Sequence, residues 1–377
     1  MRPPLMRQWR GISILHRRAA LVRRARQLLG GLGAQMRAHS RLLKRPIRPP
    51  SGASPLREIA DFGANPGNLR MFAYAPERLP AAAPLVVLLH GCKQTAKEFD
   101  LAMGWSALAR QHGFALLAPE QNRANHHLGC FHWYKSEHVS RGSGEAASMT
   151  GMAGAMARTH RLDPDRIFVV GLSAGGAMAA ALLATYPEIF RGGAIIAGMP
   201  YGAASGAIDA LSAMAVPPKR TAQEWGDLGR AAAPLPRRWP TVSIWQGRDD
   251  AIVNPANAEA LAAQWIDVHG LPSGIYDADE VDGHARRVWR DSSGAAVVEL
   301  YEITGLGHGL PIDPQGAGDA AVGQPSAFSA DAGISAAWRI AQGWGLLGPT
   351  AEHAMRQRLP NGLVIRRTPR QTESPTA

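Results

Sequence analysis

From Arg57 onward, short apolar runs alternate with segments spaced as helices. Leu85-Val86-Val87-Leu88-Leu89 contains no polar residue, which predicts a central strand covered on both faces. Trp105 to Gln111 is spaced as a helix, and Phe114-Ala115-Leu116-Leu117-Ala118 is expected as the next strand, stopped by Pro119. Ala147 to His160 predicts a helix closed by the turn residues Asp163-Pro164-Asp165. Ile167-Phe168-Val169-Val170 reads as a third buried strand, followed by an alanine-dense helix from Ala177 to Tyr186. Ala194-Ile195-Ile196-Ala197 and Val242-Ser243-Ile244-Trp245 supply two further strands. Arg286 to Arg290 and Ala296 to Ile303, around Asp291-Ser292-Ser293-Gly294, predict a late hairpin. No internal repeat is visible. Strands crossed by helices in this order predict an α/β fold with a mainly parallel sheet between helical layers.

Before residue 50 the pattern changes. Ile14, Leu15, Leu21, Val22, Leu28, Leu29 and Leu32 alternate with the pairs Arg17-Arg18 and Arg23-Arg24, which reads as one or two basic amphipathic helices interrupted at Gly30-Gly31. Prolines from Pro46 to Pro55 mark a linker. Three regions follow: an arm and linker over 1–55, a catalytic body over 56–350, and a basic, Pro- and Thr-rich tail over 351–377. The net charge of +11 belongs to the arm, since residues 1–50 hold 13 Lys and Arg and no Asp or Glu, leaving −2 for the rest. A basic groove across the body is therefore excluded, and no specific nucleic-acid partner is expected. Two readings of the arm stand: contact with an anionic surface, such as lipid headgroups or a coated polymer granule, or a solvated extension from a misassigned start. Arginines interrupt every apolar stretch that a secretory leader would need.

With 46% apolar and 19% charged residues the chain is globular. It has no run near the roughly eighteen uncharged apolar residues of a membrane span. Two cysteines exclude both a disulfide scaffold and a four-cysteine zinc site, and no metal or cofactor is expected.

Gly171-Leu172-Ser173-Ala174-Gly175 falls between the strand at 167–170 and the following helix. In that context G-x-S-x-G is a nucleophile elbow: a turn so tight that only small residues fit around the serine, here Gly171 and Gly175. Ser173 is the candidate nucleophile, at the positive end of the helix. The oxyanion that forms on attack needs fixed donors. These are expected to be the backbone N–H of Ala174 and that of Cys92, in His90-Gly91-Cys92-Lys93-Gln94 just after the first buried strand. His90 precedes the elbow at a strand end and reads as a loop brace rather than a base. The partners of such a serine follow in the order acid, then histidine. The strand at 242–245 runs into Gly247-Arg248-Asp249-Asp250, where Asp250 has the expected loop spacing and Asp249 stays the alternative. His308, in Gly307-His308-Gly309 after the strand at 296–303, is the candidate base; His269 and His284 read as a helix-end residue and a polar-loop residue.

Taken together, these residues resemble the polyhydroxybutyrate-depolymerase-type esterases of the α/β-hydrolase fold over about residues 60–345. The resemblance rests on His90–Gln94, Cys130-Phe131-His132-Trp133-Tyr134, the elbow through Met178, Gly198-Met199-Pro200-Tyr201-Gly202, Asp250 with Val253-Asn254-Pro255, and Gly307-His308-Gly309. It implies a serine esterase acting on short-chain polyhydroxyalkanoate oligomers or similar esters through an acyl-enzyme. Relatives that cleave feruloyl or acetyl esters from polysaccharide supply the alternative substrate class, and a granule- or membrane-surface binding protein supplies the alternative role. The resemblance also implies a disulfide between Cys92 and Cys130, against the reading of two buried thiols, and a pocket that includes Trp133, Tyr134 and Tyr201. A disulfide calls for an extracellular or periplasmic location, whereas the missing leader favours the cytoplasm. Phe131 and His132 depart from the Trp and Asn usual in the family, which bears on substrate preference. Oligomeric state is left open.

Overall fold

A computed structural model describes residues 49–234 and 236–348; the arm helices expected before residue 49 and the tail after 348 lie outside them. The chain runs through β1 (Arg57–Ile59), β2 (Arg70–Tyr74), β3 (Leu85–Leu89), α1 (Ala96–Met103), α2 (Trp105–His112), β4 (Ala115–Glu120), α3 (Ser136–Val139), α4 (Gly144–His160), β5 (Ile167–Leu172) and α5 (Ala174–Thr185). It continues through β6 (Gly192–Ile196), α6 (Ala207–Ala215), α7 (Ala222–Ala231), β7 (Thr241–Gly247), α8 (Ala256–Val268), β8 (Asp277–Val281), β9 (His284–Arg290), β10 (Ala296–Ile303), β11 (Leu310–Ile312), β12 (Ser329–Asp331) and α9 (Ala336–Gly343).

Ten strands form one sheet in the order β1-β2-β4-β3-β5-β6-β7-β10-β9-β8. The six from β4 to β10 are mutually parallel, and the outer pair on each side is antiparallel. Each central strand is apolar on both sides because helices cover both faces. Leu85, Val87 and Leu89 belong to one core with Met149 and Met152 of α4 and Leu261 of α8, while Val86 and Leu88 belong to the other with Phe99 of α1, Leu108 of α2 and Ile340 of α9. The chain leaves β3 toward β4 on one side and then returns to β5 on the other. That reversal opens a crevice at the carboxyl ends of β3 and β5, where open α/β sheets bind ligands.

Pro119 does not stop β4: it lies inside the strand, opposite Met71 of β2. β4 pairs with β3 only as far as Leu117, so beyond that point a residue without an N–H loses no ladder bond on that side. Unpatterned segments supply the outer strands, including β8, whose sequence Asp-Ala-Asp-Glu-Val is largely exposed. His284 is buried at the start of β9, not in a polar loop. Its Nε2 donates to Ala332 O at 2.8 Å, and its Nδ1 accepts the Thr304 N–H at 3.2 Å.

Candidate active site

β5 ends at Leu172 and α5 begins at Ala174, so Ser173 alone makes the turn. Its φ of 57° and ψ of −117° lie in a region costly for a residue with a Cβ. The surroundings impose the strain. A Cβ on Gly171 would stand 2.2 Å from Gly175 O, and one on Gly175 would stand 2.2 Å from Leu89 O. Both positions therefore exclude any side chain, and α5 is pressed directly against β3. The N–H of Ser173 donates to Ile196 O at 2.9 Å, tying the turn to β6 on the other side.

β7 and β10 are parallel neighbours, so the loops that follow them leave the same edge of the sheet. Arg248 N–H donates to Ile303 O and Asp249 N–H to Leu306 O, each at 3.0 Å. A Cβ on Gly247 would stand 2.3 Å from Leu306 O, so glycine lets the two loops pack this closely. His308 Nδ1 lies 2.8 Å from Asp250 Oδ2, with both side chains buried. Asp250 is held on every side: Oδ1 accepts the N–H groups of Ile252 and Val253 at 2.8 and 2.9 Å, and Oδ2 also accepts Gln246 Nε2 at 3.1 Å. Asp249 is exposed. Of the two aspartates, Asp250 is the one the fold turns toward the histidine. Its charge directs the imidazole proton to Nδ1 and leaves the lone pair of Nε2 free to accept one.

Ser173 and His308 line one cavity of about 230 Å³, together with Gly91, Cys92 and Ala174. The loop carrying Cys92 is braced by His90. That ring is wholly buried: Nε2 accepts the Gln121 N–H at 3.1 Å and Nδ1 donates to Gly91 O at 2.8 Å. Burial pushes its pKa down to about 4, so the ring is neutral. Cys92 and Cys130 are joined by a disulfide with an S–S distance of 2.06 Å and a Cα–Cα distance of 4.3 Å. It stitches the Cys92 loop to the aromatic loop, and Trp133 and Tyr134 of that loop line the cavity.

Tyr201 is not among the lining residues. Gln264 of α8 accepts its backbone N–H and donates to its C=O, each at 3.0 Å, which ties this segment to α8, while Met199 reaches the cavity. Leu211 and Met214 of α6, with Ile252 and Phe328, complete an apolar wall that the sequence reading missed. The helical spacing of Ala207, Ala210, Leu211 and Met214 was a usable signal for it.

An α/β-hydrolase fold with a serine at the elbow, and an Asp–His pair opening on the same cavity, is the arrangement of a hydrolase site. Residues 72–287 match the family model described as Esterase PHB depolymerase, and the chain belongs to that family. It is 40% identical over 298 residues to poly(3-hydroxyalkanoate) depolymerase C of Paucimonas lemoignei, covering 78% of this chain and 70% of that protein. It is 31% identical to feruloyl esterase B of Thermothelomyces thermophilus, covering 70% of this chain and 91% of that one. Among solved structures, acetyl xylan esterase from Aspergillus awamori superposes with a TM-score of 0.62 at 24% identity, over 68% of this chain and 94% of that chain, a likeness of fold.

Proposed function

We propose that the chain hydrolyses short-chain poly(3-hydroxyalkanoate) oligomers or similar small esters, with Ser173 as nucleophile, His308 as base and Asp250 as its orienting acid. The observation that carries this reading is the buried 2.8 Å contact between His308 Nδ1 and Asp250 Oδ2, beside a strained serine on the same cavity. Ser173 Oγ attacks the ester carbonyl carbon while its proton passes to His308 Nε2, and Asp250 stabilises the resulting imidazolium. The N–H groups of Cys92 and Ala174 are the donors to the oxyanion. Collapse breaks the bond to the alcohol oxygen, which takes the proton from His308. Water then attacks the acyl carbon, gives a proton to His308, and a second collapse frees the acid and returns a proton to Ser173.

The substrate reading is supported by the 40% identical depolymerase and by the cavity itself. Trp133, Met199, Met214 and Phe328 give it apolar walls, and its volume of about 230 Å³ is below the roughly 300–1,000 Å³ of pockets for drug-sized ligands. Such walls suit an uncharged acyl group. The disulfide supports an oxidising compartment, extracellular or periplasmic. Residues 56–350 are proposed as the catalytic unit, and the arm before them as the part that contacts an anionic surface.

The test is turnover of hydroxybutyrate trimer, p-nitrophenyl acetate and methyl ferulate by the native chain and by Ser173→Ala, Asp250→Asn and Asp249→Asn. Ser173→Ala is expected to lose on the order of 10⁶ in kcat and Asp250→Asn on the order of 10⁴, with Asp249→Asn close to native. Undiminished turnover in Ser173→Ala overturns the nucleophile, and an intact Asp250→Asn overturns the acid. Methyl ferulate cleaved faster than the trimer moves the substrate class to the feruloyl esters.

A further inference from the structure

The loop that walls the cavity rests on a second constellation, which ester chemistry does not use. Among the described residues, ligand atoms of His132, His138 and Glu145 all lie within 4.8 Å of one another. His132 follows Cys130 in the aromatic loop, His138 is on α3, and Glu145 is in the first turn of α4. The Glu145 side chain is fully buried. Its Oε1 accepts His132 Nδ1 and Gln121 Nε2, each at 2.6 Å, and its Oε2 accepts the His132 N–H at 2.8 Å.

His138 is the member left over. Its Nδ1 is buried, has no hydrogen-bond partner, and stands 3.6 Å from Glu145 Oε1, beyond hydrogen-bond range. Its ring stacks on that of His132 with centroids 4.6 Å apart. A buried ring nitrogen without a partner is costly, and here it faces a carboxylate oxygen that already serves another imidazole. His126 is also close, with its ring 5.4 Å from that of His132, but its Nδ1 already accepts the N–H groups of Leu128 and Cys130.

We propose that His132, His138 and Glu145 form a binding site for one divalent transition-metal ion, zinc by its donor set, with water as the fourth ligand. Two imidazole nitrogens and one carboxylate oxygen are a zinc-type set rather than one for calcium or magnesium. Metal–ligand distances of about 2.0 Å place tetrahedral ligand atoms about 3.3 Å apart. The His138–Glu145 separation of 3.6 Å is already close to that value. The His132–Glu145 contact of 2.6 Å must open by about 0.7 Å to reach it. Binding requires the His132 ring proton to sit on Nε2, which frees the Nδ1 lone pair for the ion. Gln121 Nε2 and the His132 N–H remain on the carboxylate as the outer hydrogen bonds that orient it. The His138 side chain is 20% exposed and gives the ion a way in from solvent. A bound ion would tie the aromatic loop to α3 and α4, stiffening the wall that carries Trp133 and Tyr134.

The experiment strips the full chain with a chelator and titrates it with Zn²⁺ by calorimetry, with Co²⁺ as the spectroscopic probe. The expected result is about one saturable equivalent, visible absorption typical of four-coordinate cobalt, and a Tm raised by about 4 °C at a hundredfold excess over Kd. His138→Gln, unchanged in Tm under chelator, is expected to lose all three responses. X-ray absorption of the zinc-loaded native chain, expected to show two imidazole ligands, decides the matter if that variant is unstable. No saturable equivalent, an unaltered response in His138→Gln, or a coordination shell lacking two imidazoles overturns the site.

Discussion

His90 directly precedes the cavity-lining Gly91 and Cys92 yet is tied up entirely in structure, because both ring nitrogens are spent on backbone groups of two different loops. Protonating Nε2 would set its new N–H against the Gln121 N–H. The folded protein therefore holds the ring neutral down to about pH 4, whereas the unfolded chain takes up the proton near 6.5. Stability from this residue is complete above pH 6.5 and is lost as pH falls from there toward 4, by on the order of 3 kcal/mol. His269, also neutralised by burial, acts in the same direction. The prediction is thus a difference: in urea denaturation, the advantage of the native protein over His90→Gln should shrink by that amount between pH 7 and pH 4. A difference constant with pH would remove the argument. The bracing role was readable from the place of His90 at a strand end; the choice of Asp250 over Asp249 was not, because it depends on which carboxylate the loop turns inward.

The elements that carry the site were visible because they are buried on both faces. β3, β5, β6, β7 and β10 are continuous or near-continuous apolar runs, and each was recognisable without any partner. β8 was not. It is exposed, and it is held to β9 by an antiparallel ladder with cross-strand ion pairs, Asp279 2.5 Å from Arg286 and Asp277 2.7 Å from Arg290, a pairing that exists only once register is set. The same dependence on a neighbour appears at Gly247, whose missing side chain makes room for the backbone of the His308 loop. Gly247→Ala is expected to push that loop off Asp250 and lower kcat by about 10²-fold, with a smaller effect on KM, because a shift near 1 Å at a catalytic group costs that much. Steady-state kinetics on the folded variant, verified by circular dichroism, checks it; a native kcat would mean that the two loops adjust independently.

At the scale of the whole molecule, the Cys92–Cys130 bond joins two loops separated by 38 residues, one after β3 and the other preceding α3. Closing a loop of that length stabilises the fold by about 4 kcal/mol in the chain-entropy model. Replacing both cysteines by serine should lower the unfolding free energy by about that much, and the unreduced native chain should show no titratable thiol. Urea denaturation and a thiol count read the two; a serine double variant as stable as the native chain would contradict the first. The variant should also lower kcat, since a loosened Cys92 loop misplaces a proposed donor to the oxyanion. The bond holds the cavity wall and the Cys92 loop together, while Ser173 stands at the turn after β5 and Asp250 and His308 on the loops after β7 and β10.

Sequence alone determined the layered α/β architecture, the elbow at Ser173 and the loop positions of Asp250 and His308, since runs, turns and motif order are local properties of the chain. Tertiary structure decided which aspartate faces His308, that α6 and not Tyr201 lines the cavity, and that His132, His138 and Glu145 converge under its wall. Each of those outcomes depends on contacts between segments distant in the chain, and the direction of a side chain is set by what packs against it.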